Sequence, residues 1–355
     1  MKKNSKTVLF IINLLSLLLI ILLAPWNSFA QIITEIGKTN PWREIRFDII
    51  THSAPAWCAS GRQLVLGGGD GEGIRLVDIY SGEIRRITNN IRHKNPSCSS
   101  DGRYIFFTDS QSGEYKNLYV YNARSKKVSS IYSLGKPLNM VMVYEPISPS
   151  GKYLIGPPNW KEIVTLPGGE PVLIVPIHGT IEIGKPIDYS QLAWSPDSSR
   201  LYLLNSYAQI LSIRELDINK ETNIKIRIKG FYAKRIKSSS DNTKLYIEAM
   251  SSDDMVTNLY ELDLKKPMAA PKLLFNSINH FDLDLEDSIV FSRNKGEFNQ
   301  LFIAKKGGEI ELIKKFSFYA WPISPHVSRD GKAIVFLQKL PTDERIITVL
   351  AKDDK

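Results

Sequence analysis

Hydrophobic and polar residues alternate with a period of two through most of this chain. After the first thirty residues no stretch carries the 3.6-residue period of a long amphipathic helix. Short runs such as Leu64-Val65-Leu66, Tyr104-Ile105-Phe106-Phe107 and Ile334-Val335-Phe336 are apolar at successive positions. Such runs predict short strands. Each is preceded by a cluster of Ser, Asp, Asn, Gly or Pro, so the pattern is strand, tight turn, strand.

The turn clusters repeat. They stand at 57–66 (WCASGRQLVL), 98–107 (CSSDGRYIFF), 147–156 (ISPSGKYLIG), 194–203 (WSPDSSRLYL), 238–247 (SSSDNTKLYI), 283–292 (LDLEDSIVFS) and 327–336 (VSRDGKAIVF). Gly61, Gly102, Gly151, Ser198, Asn242, Asp287 and Gly331 serve as equivalent anchors of copies 1 to 7, spaced 41 to 49 residues apart. Three before the anchor stands Ser99, Ser148, Ser195, Ser239 or Ser328, and one before it Asp101, Asp197, Asp241, Glu286 or Asp330. Ser first, Pro second (Pro149, Pro196) and Gly fourth mark a type I turn. A third strand follows in most copies, as in 73–80, 117–123, 258–264 and 300–306, and a weaker fourth at 81–88 and 307–313. Four short strands per unit with a period in the forties is the pattern of a β-propeller.

The expected fold class is therefore all-β, a seven-bladed β-propeller, with a six-bladed ring and one copy outside it as the alternative. Copy 7 adds only 345–351 after its hairpin, while 43–50 ahead of copy 1 reads as a strand without a copy of its own. Pairing of these N- and C-terminal strands would close the ring and remove two sheet edges.

The columns resemble the TolB-type propeller repeat of exported bacterial proteins, whose xWSPDGxxIxF unit is matched best at 194–203 and 327–336. The resemblance spans nearly all of residues 31–355. TolB itself carries an α/β domain ahead of its propeller, so a different member is expected. The resemblance implies a non-enzymatic protein-interaction module of the periplasm or cell surface, with an envelope protein or peptide bound at the mouth of the ring. The alternative is a propeller lyase or carbohydrate-binding protein acting on acidic oligosaccharides with a channel-bound divalent cation. The first reading needs no cofactor.

Residues 1–30 bear on location. Lys2, Lys3 and Lys6 precede an apolar run from Val8 to Leu23, and Ser28-Phe29-Ala30 is a small-x-small cleavage site. This predicts a signal peptide, with residues 31–355 as one propeller domain that is periplasmic or secreted. An uncleaved N-terminal membrane anchor is the alternative. The net charge is +9 for the whole chain, and residues 31–355 keep +6 once three lysines are removed. For an exported protein that favours an acidic partner or polymer surface over nucleic acid. The two cysteines, Cys58 and Cys98, lie at neighbouring inner strands and on opposite faces of them, where a disulfide can form between adjacent blades.

No G-x-S-x-G elbow, metalloprotease His pair or phosphate-binding glycine loop is present. Asp70 and Glu72 in GGGDGEG (67–73) belong to a hairpin loop. In HFDLDLED (280–287), His280, Asp282, Asp284 and Glu286 share a strand face. His280, Asp282 and Asp284 are thus candidate ligands for a hard divalent cation, although Asp284 and Glu286 occupy turn-capping columns. Seven to ten residues before each anchor stand His52, His93, Tyr144, Tyr189, Tyr232, His280 and Trp321. Rings with polar tips at the channel mouth, flanked by Arg92, Lys94, Lys234 and Arg235, suit a peptide segment or an anionic sugar.

Overall fold

A computed structural model describes residues 41–47, 54–58, 61–67, 73–111, 114–138, 147–156, 163–166, 171–176, 191–205, 209–217, 220–226, 231–251, 256–295, 297–317, 322–339 and 345–352. The chain divides into two units, Met1–Arg43 and Glu44–Lys355, and the second is a propeller. His52, Tyr144, Tyr189 and Trp321, the Asp70/Glu72 loop and the leader lie outside the described residues.

Among the described residues six sheets are complete four-stranded blades. Copy 1 is built from Ala56–Cys58, Gln63–Leu66, Arg75–Asp78 and Ile84–Arg86, and copy 2 from His93–Cys98, Tyr104–Gln111, Glu114–Asn122 and Lys127–Leu138. Copy 4 uses Gln191–Trp194, Arg200–Asn205, Ile210–Glu215 and Lys220–Lys225, and copy 5 uses Phe231–Ser238, Lys244–Ser251, Thr257–Asp263 and Lys272–Phe275. Copy 6 comprises Ile278–Leu283, Ile289–Lys295, Phe298–Ala304 and Ile310–Ser317. Copy 7 contributes Pro322–Val327, Ala333–Lys339 and Arg345–Lys352, and its outermost strand is Trp42–Phe47 from the other end of the chain.

The expectation of a seven-bladed propeller is not met: the described residues form six four-stranded blades, the number of the alternative, and copy 3 is the copy that does not make one. It forms a three-stranded sheet in which Tyr153–Gly156 runs parallel to Pro171–Pro176, and Ile163–Thr165 pairs antiparallel with that strand. The sequence supplies the reason: Pro157, Pro158, Pro167, Pro171 and Pro176 remove five N–H donors where the antiparallel meander would have to continue. Copy 3 still packs between its neighbours. Ile147, Leu154 and Leu166 join Tyr104, Phe106 and Val120 of copy 2, while Tyr153 and Ile155 join Trp194, Leu201 and Leu203 of copy 4.

Strand alternation explains the doubly apolar runs. Leu64 and Leu66 face copy 7, among Val335, Leu337 and Val349, whereas Val65 between them faces Ile105, Phe107 and Tyr121 of copy 2. Leu245, Ile247 and Ala249 likewise face copy 4, and Tyr246 faces copy 6. Each second strand thus serves two inter-blade cores, so a polar residue there is expensive unless it is bonded.

The repeated turn is a hydrogen-bonded unit. Ser195 Oγ donates to Asp197 (2.6 Å) and accepts from Arg200 N (2.8 Å), while Ser199 N donates to Asp197 (3.0 Å). The same bonds recur at Ser99/Asp101, Ser239/Asp241 and Ser328/Asp330. Burial works against the Asp197 carboxylate, but Ser195 and Ser199 hold its pKa at about 2. All seven anchors take positive φ, from 57° at Asn242 to 79° at Gly61, which closes the turn and returns the chain to the ladder. Successive turns also grip each other. Ser150 N donates to Ser198 Oγ (2.8 Å), Ser240 N and Oγ donate to Asp287 (2.6 and 3.0 Å), and Leu285 N donates to Arg329 O (3.0 Å). At Gly61 a Cβ would come within 2.5 Å of Ser328 Cβ, so glycine is required by contact as well as by φ.

Ser239 is fully buried, and alanine there strands both Lys244 N and one Asp241 acceptor. Ser239→Ala is expected to cost about 1–2 kcal/mol in urea unfolding. An unchanged midpoint would show that the turn is held by its backbone alone.

Candidate functional site

The inner strands carry a bulge. Register shifts leave Lys234 and Asn279 unopposed in copies 5 and 6, between Ala233 and Arg235 and between Ile278 and His280. In copies 2 and 7 the shifts span Lys94 to Ser97 and Ile323 to His326, with Asn95 and Ser324 at positive φ. Pro96 and Pro325 follow, and a bulge tolerates residues that cannot donate to the ladder.

Beyond the bulge, three consecutive copies place Lys237, Asp282 and His326 at the same position, five residues before their anchors. These side chains meet. Lys237 Nζ is 3.3 Å from Asp282 Oδ1, and His326 Nδ1 is 3.5 Å from Asp282 Oδ2, which also accepts from Val327 N (3.2 Å). Arg235 donates through one amino group to Phe281 O (3.0 Å), and the other lies 3.3 Å from His326 Nδ1. Trp57 Nε1 donates to His326 O (2.8 Å), joining copy 1 to copy 7 at the closing seam. A belt of polar contacts therefore links the inner strands of copies 5, 6, 7 and 1.

Burial opposes ionisation of Asp282, but Lys237, His326 and Arg235 outweigh it and hold its pKa far below the usual carboxylate range. Burial pushes the His326 pKa down; Asp282 opposes this, and Arg235 and Lys237 reinforce it. The sign of the pH dependence follows. An unfolded histidine protonates near 6.5 and His326 resists doing so, so folding stability falls as pH drops below that value. Asp282 adds a further loss that begins as pH falls below the ordinary aspartate value of about 3.9 and is complete only below its depressed value. The melting temperature is expected to be lower at about pH 5 than at about pH 7.5, with a smaller difference in His326→Gln. Equal differences in the two proteins would remove His326 from the account.

The sequence candidates fall in different places. His93 is a packed residue: Nδ1 lies 2.8 Å from Thr88 Oγ1, Nε2 lies 3.3 Å from Asn90 Nδ2, and the ring lies 4.7 Å from both Phe107 and Tyr119. It is 6% exposed, and burial lowers its pKa, so it contributes to the core and not to a mouth. Tyr232 and His280, on the inner strands of adjacent copies, are 44% and 37% exposed. His280 Nδ1 lies 3.5 Å from the buried carboxylate of Glu248. Asp284 caps its own turn by accepting from Glu286 N (2.9 Å) and Ser288 N (2.8 Å). His280, Asp282 and Asp284 thus engage separate partners, and no group of three or more His, Cys, Asp or Glu is gathered for a cation among the described residues. Cys58 and Cys98 are joined as a disulfide with Cα atoms 5.4 Å apart, tying copy 1 to copy 2.

Sequence reasoning missed Lys237, His326 and Glu248. The first two were recoverable by reading the column five before the anchor across copies, where Lys, Asp and His succeed one another.

No family model matches the chain, and no curated protein sequence matches it. Solved structures do. The β-propeller domain of Cps50 (Swd1) from Myceliophteria thermophila is 14% identical, with 88% of this chain and 99% of that one covered and a TM-score of 0.54. An oligogalacturonate lyase in complex with manganese is 10% identical, covers 90% and 98%, and has a TM-score of 0.50. TolB from Acinetobacter baumannii is 14% identical, with 84% and 54% covered and a TM-score of 0.41. The first two likenesses show the propeller fold.

Proposed function

We propose that this chain is an exported, non-enzymatic interaction propeller of TolB-like repeat type, with copy 3 as an incomplete seventh blade, which binds an acidic segment of an envelope partner at its channel mouth. The observation that carries the reading is the inner strand of copy 5. It carries Lys234, Arg235 and Lys237 within four residues, with the exposed ring of Tyr232 beside them; Asp282 holds Lys237, and Arg235 is directed to Phe281 O and His326. Among the described residues Lys234 Nζ reaches a neutral partner, Thr257 Oγ1 at 2.8 Å, so its charge is available to an incoming anion. The net charge of +6 for residues 31–355 agrees in sign.

Export is supported by the leader and by the Cys58–Cys98 disulfide, a bond that persists in oxidising compartments. N-terminal sequencing of the exported protein is expected to begin at Gln31. A chain that retains residues 1–30 would instead be membrane-anchored.

The decisive test is the affinity of a fluorescent hexaglutamate for the purified chain, with hexalysine as control. Hexaglutamate is expected to bind, more weakly as salt rises, and to lose about threefold to tenfold in Lys234→Gln. Equal binding of the two peptides would overturn the reading. The alternative, an acidic-oligosaccharide protein with a channel cation, draws on the half-exposed His280. Stoichiometric metal in the purified protein that disappears in His280→Ala would favour it.

A further inference from the structure

Glu248 stands in the second strand of copy 5, is 1% exposed, and neither carboxylate oxygen has a hydrogen bond from the described residues. Leu245, Ile247 and Ala249 on that strand face copy 4 and Tyr246 faces copy 6, so alternation turns Glu248 toward copy 6. A desolvated carboxylate without donors is costly, and an obvious donor stands next to it, because Arg235 is its direct cross-strand partner. Arg235 nevertheless points elsewhere, to Phe281 O and His326. Lys237 goes to Asp282, and Lys234 to Thr257. What approaches Glu248 is His280, with Nδ1 at 3.5 Å and a side chain 37% exposed. A buried acid is thus reserved for one half-exposed imidazole.

We propose that Glu248 and His280 form an anion-receiving pair. The buried carboxylate accepts from Nδ1–H, which fixes the ring, and Nε2–H is offered to a carboxylate of the acidic partner segment. The bound state is an imidazolium between two carboxylates. This rests on the reading of the mouth as an acidic-peptide site. The other charged groups on the surrounding strands are Lys234, Arg235 and Lys237 of copy 5, Lys244 on the strand of Glu248, Asp282 on the strand of His280, Arg293 and Lys295 on the next strand of copy 6, and His326 of copy 7; Lys244 pairs with Glu261 of the third strand of copy 5 at 3.0 Å. Asp282 holds Lys237, and Arg235 is directed to Phe281 O and His326. Arg293 lies over the Phe291 and Phe302 rings, at 5.6 and 6.0 Å. His280 contacts the ligand, and Glu248 is a positioning residue.

The test is hexaglutamate affinity between about pH 5.5 and 8, where its carboxylates stay ionised. Wild-type affinity is expected to fall by about tenfold per pH unit over the range in which the imidazole loses its proton. His280→Gln is expected to bind weakly with a flat profile, and Glu248→Gln to keep binding with affinity reduced about tenfold and a shallower profile. Nitrogen-15 spectra of the imidazoles should show His280 protonated on Nδ1 in the wild type and a mixed tautomer in Glu248→Gln. A wild-type profile that is flat, or one that His280→Gln reproduces, overturns the pair and leaves the acidic-peptide reading standing. Absence of hexaglutamate binding at every pH overturns both.

Discussion

Asp282→Asn is expected to destabilise the propeller by about 3 kcal/mol, the low end of what removing one partner from a buried ion pair costs. Asparagine keeps the shape and can still accept from Val327 N, so the loss isolates the charge. It leaves Lys237 and Arg235 without the anion around which the inner strands of copies 5, 6 and 7 converge. The low end applies because the Lys237 side chain, 22% exposed, can recover some water. Adding Lys237→Met to Asp282→Asn is expected to restore about 1 kcal/mol, since the double variant buries one fewer uncompensated cation. Urea unfolding of the four proteins completes the cycle. Strict additivity would mean that the two side chains are neighbours without coupling.

The disulfide gives the second large effect. Cys58 and Cys98 close a loop with a sequence separation of 40, and chain-entropy arguments assign such a link about 4 kcal/mol at 25 °C. Cys58→Ala with Cys98→Ala should therefore lower the denaturation midpoint strongly. Cys58 packs with Val65, Ile74 and Phe107, so part of the loss would come from missing sulfur atoms. Wild-type protein under reductant separates the contributions, because it keeps both thiols and loses only the bond. Matching midpoints for oxidised and reduced wild type would show that the seam between copies 1 and 2 is held by packing alone.

The propeller was legible because its signal is local and repeated. Every anchor lies in the left-handed region whether it is Gly, Asn, Ser or Asp, and the Ser and Asp columns make the bonds that their spacing implies. Copy 3 was misjudged for a related reason. Its turn is intact, with Gly151 at φ 76° and Ser148 accepting from Tyr153 N, but a turn reports only on the hairpin it closes. The prolines that follow govern the remaining strands. At the site, counting back from the turn by alternation fails at the bulge, where one unopposed residue shifts everything beyond it. His280 and Tyr232 kept accessible side chains on their inner strands. His93 did not, because Thr88, Phe107 and Tyr119 enclose it from elsewhere in copies 1 and 2, contacts that no spacing rule encodes.

The mixed origin of the last blade fixes the timing of folding. Glu44–Phe47 emerges early in synthesis, yet its partner strand, Arg345–Lys352, comes about 300 residues later, a separation that makes closure slow and dependent on the whole chain. Until then the growing polypeptide is an open arc with a free edge at each end. A ring closed in this way cannot lock before its final strand has been made.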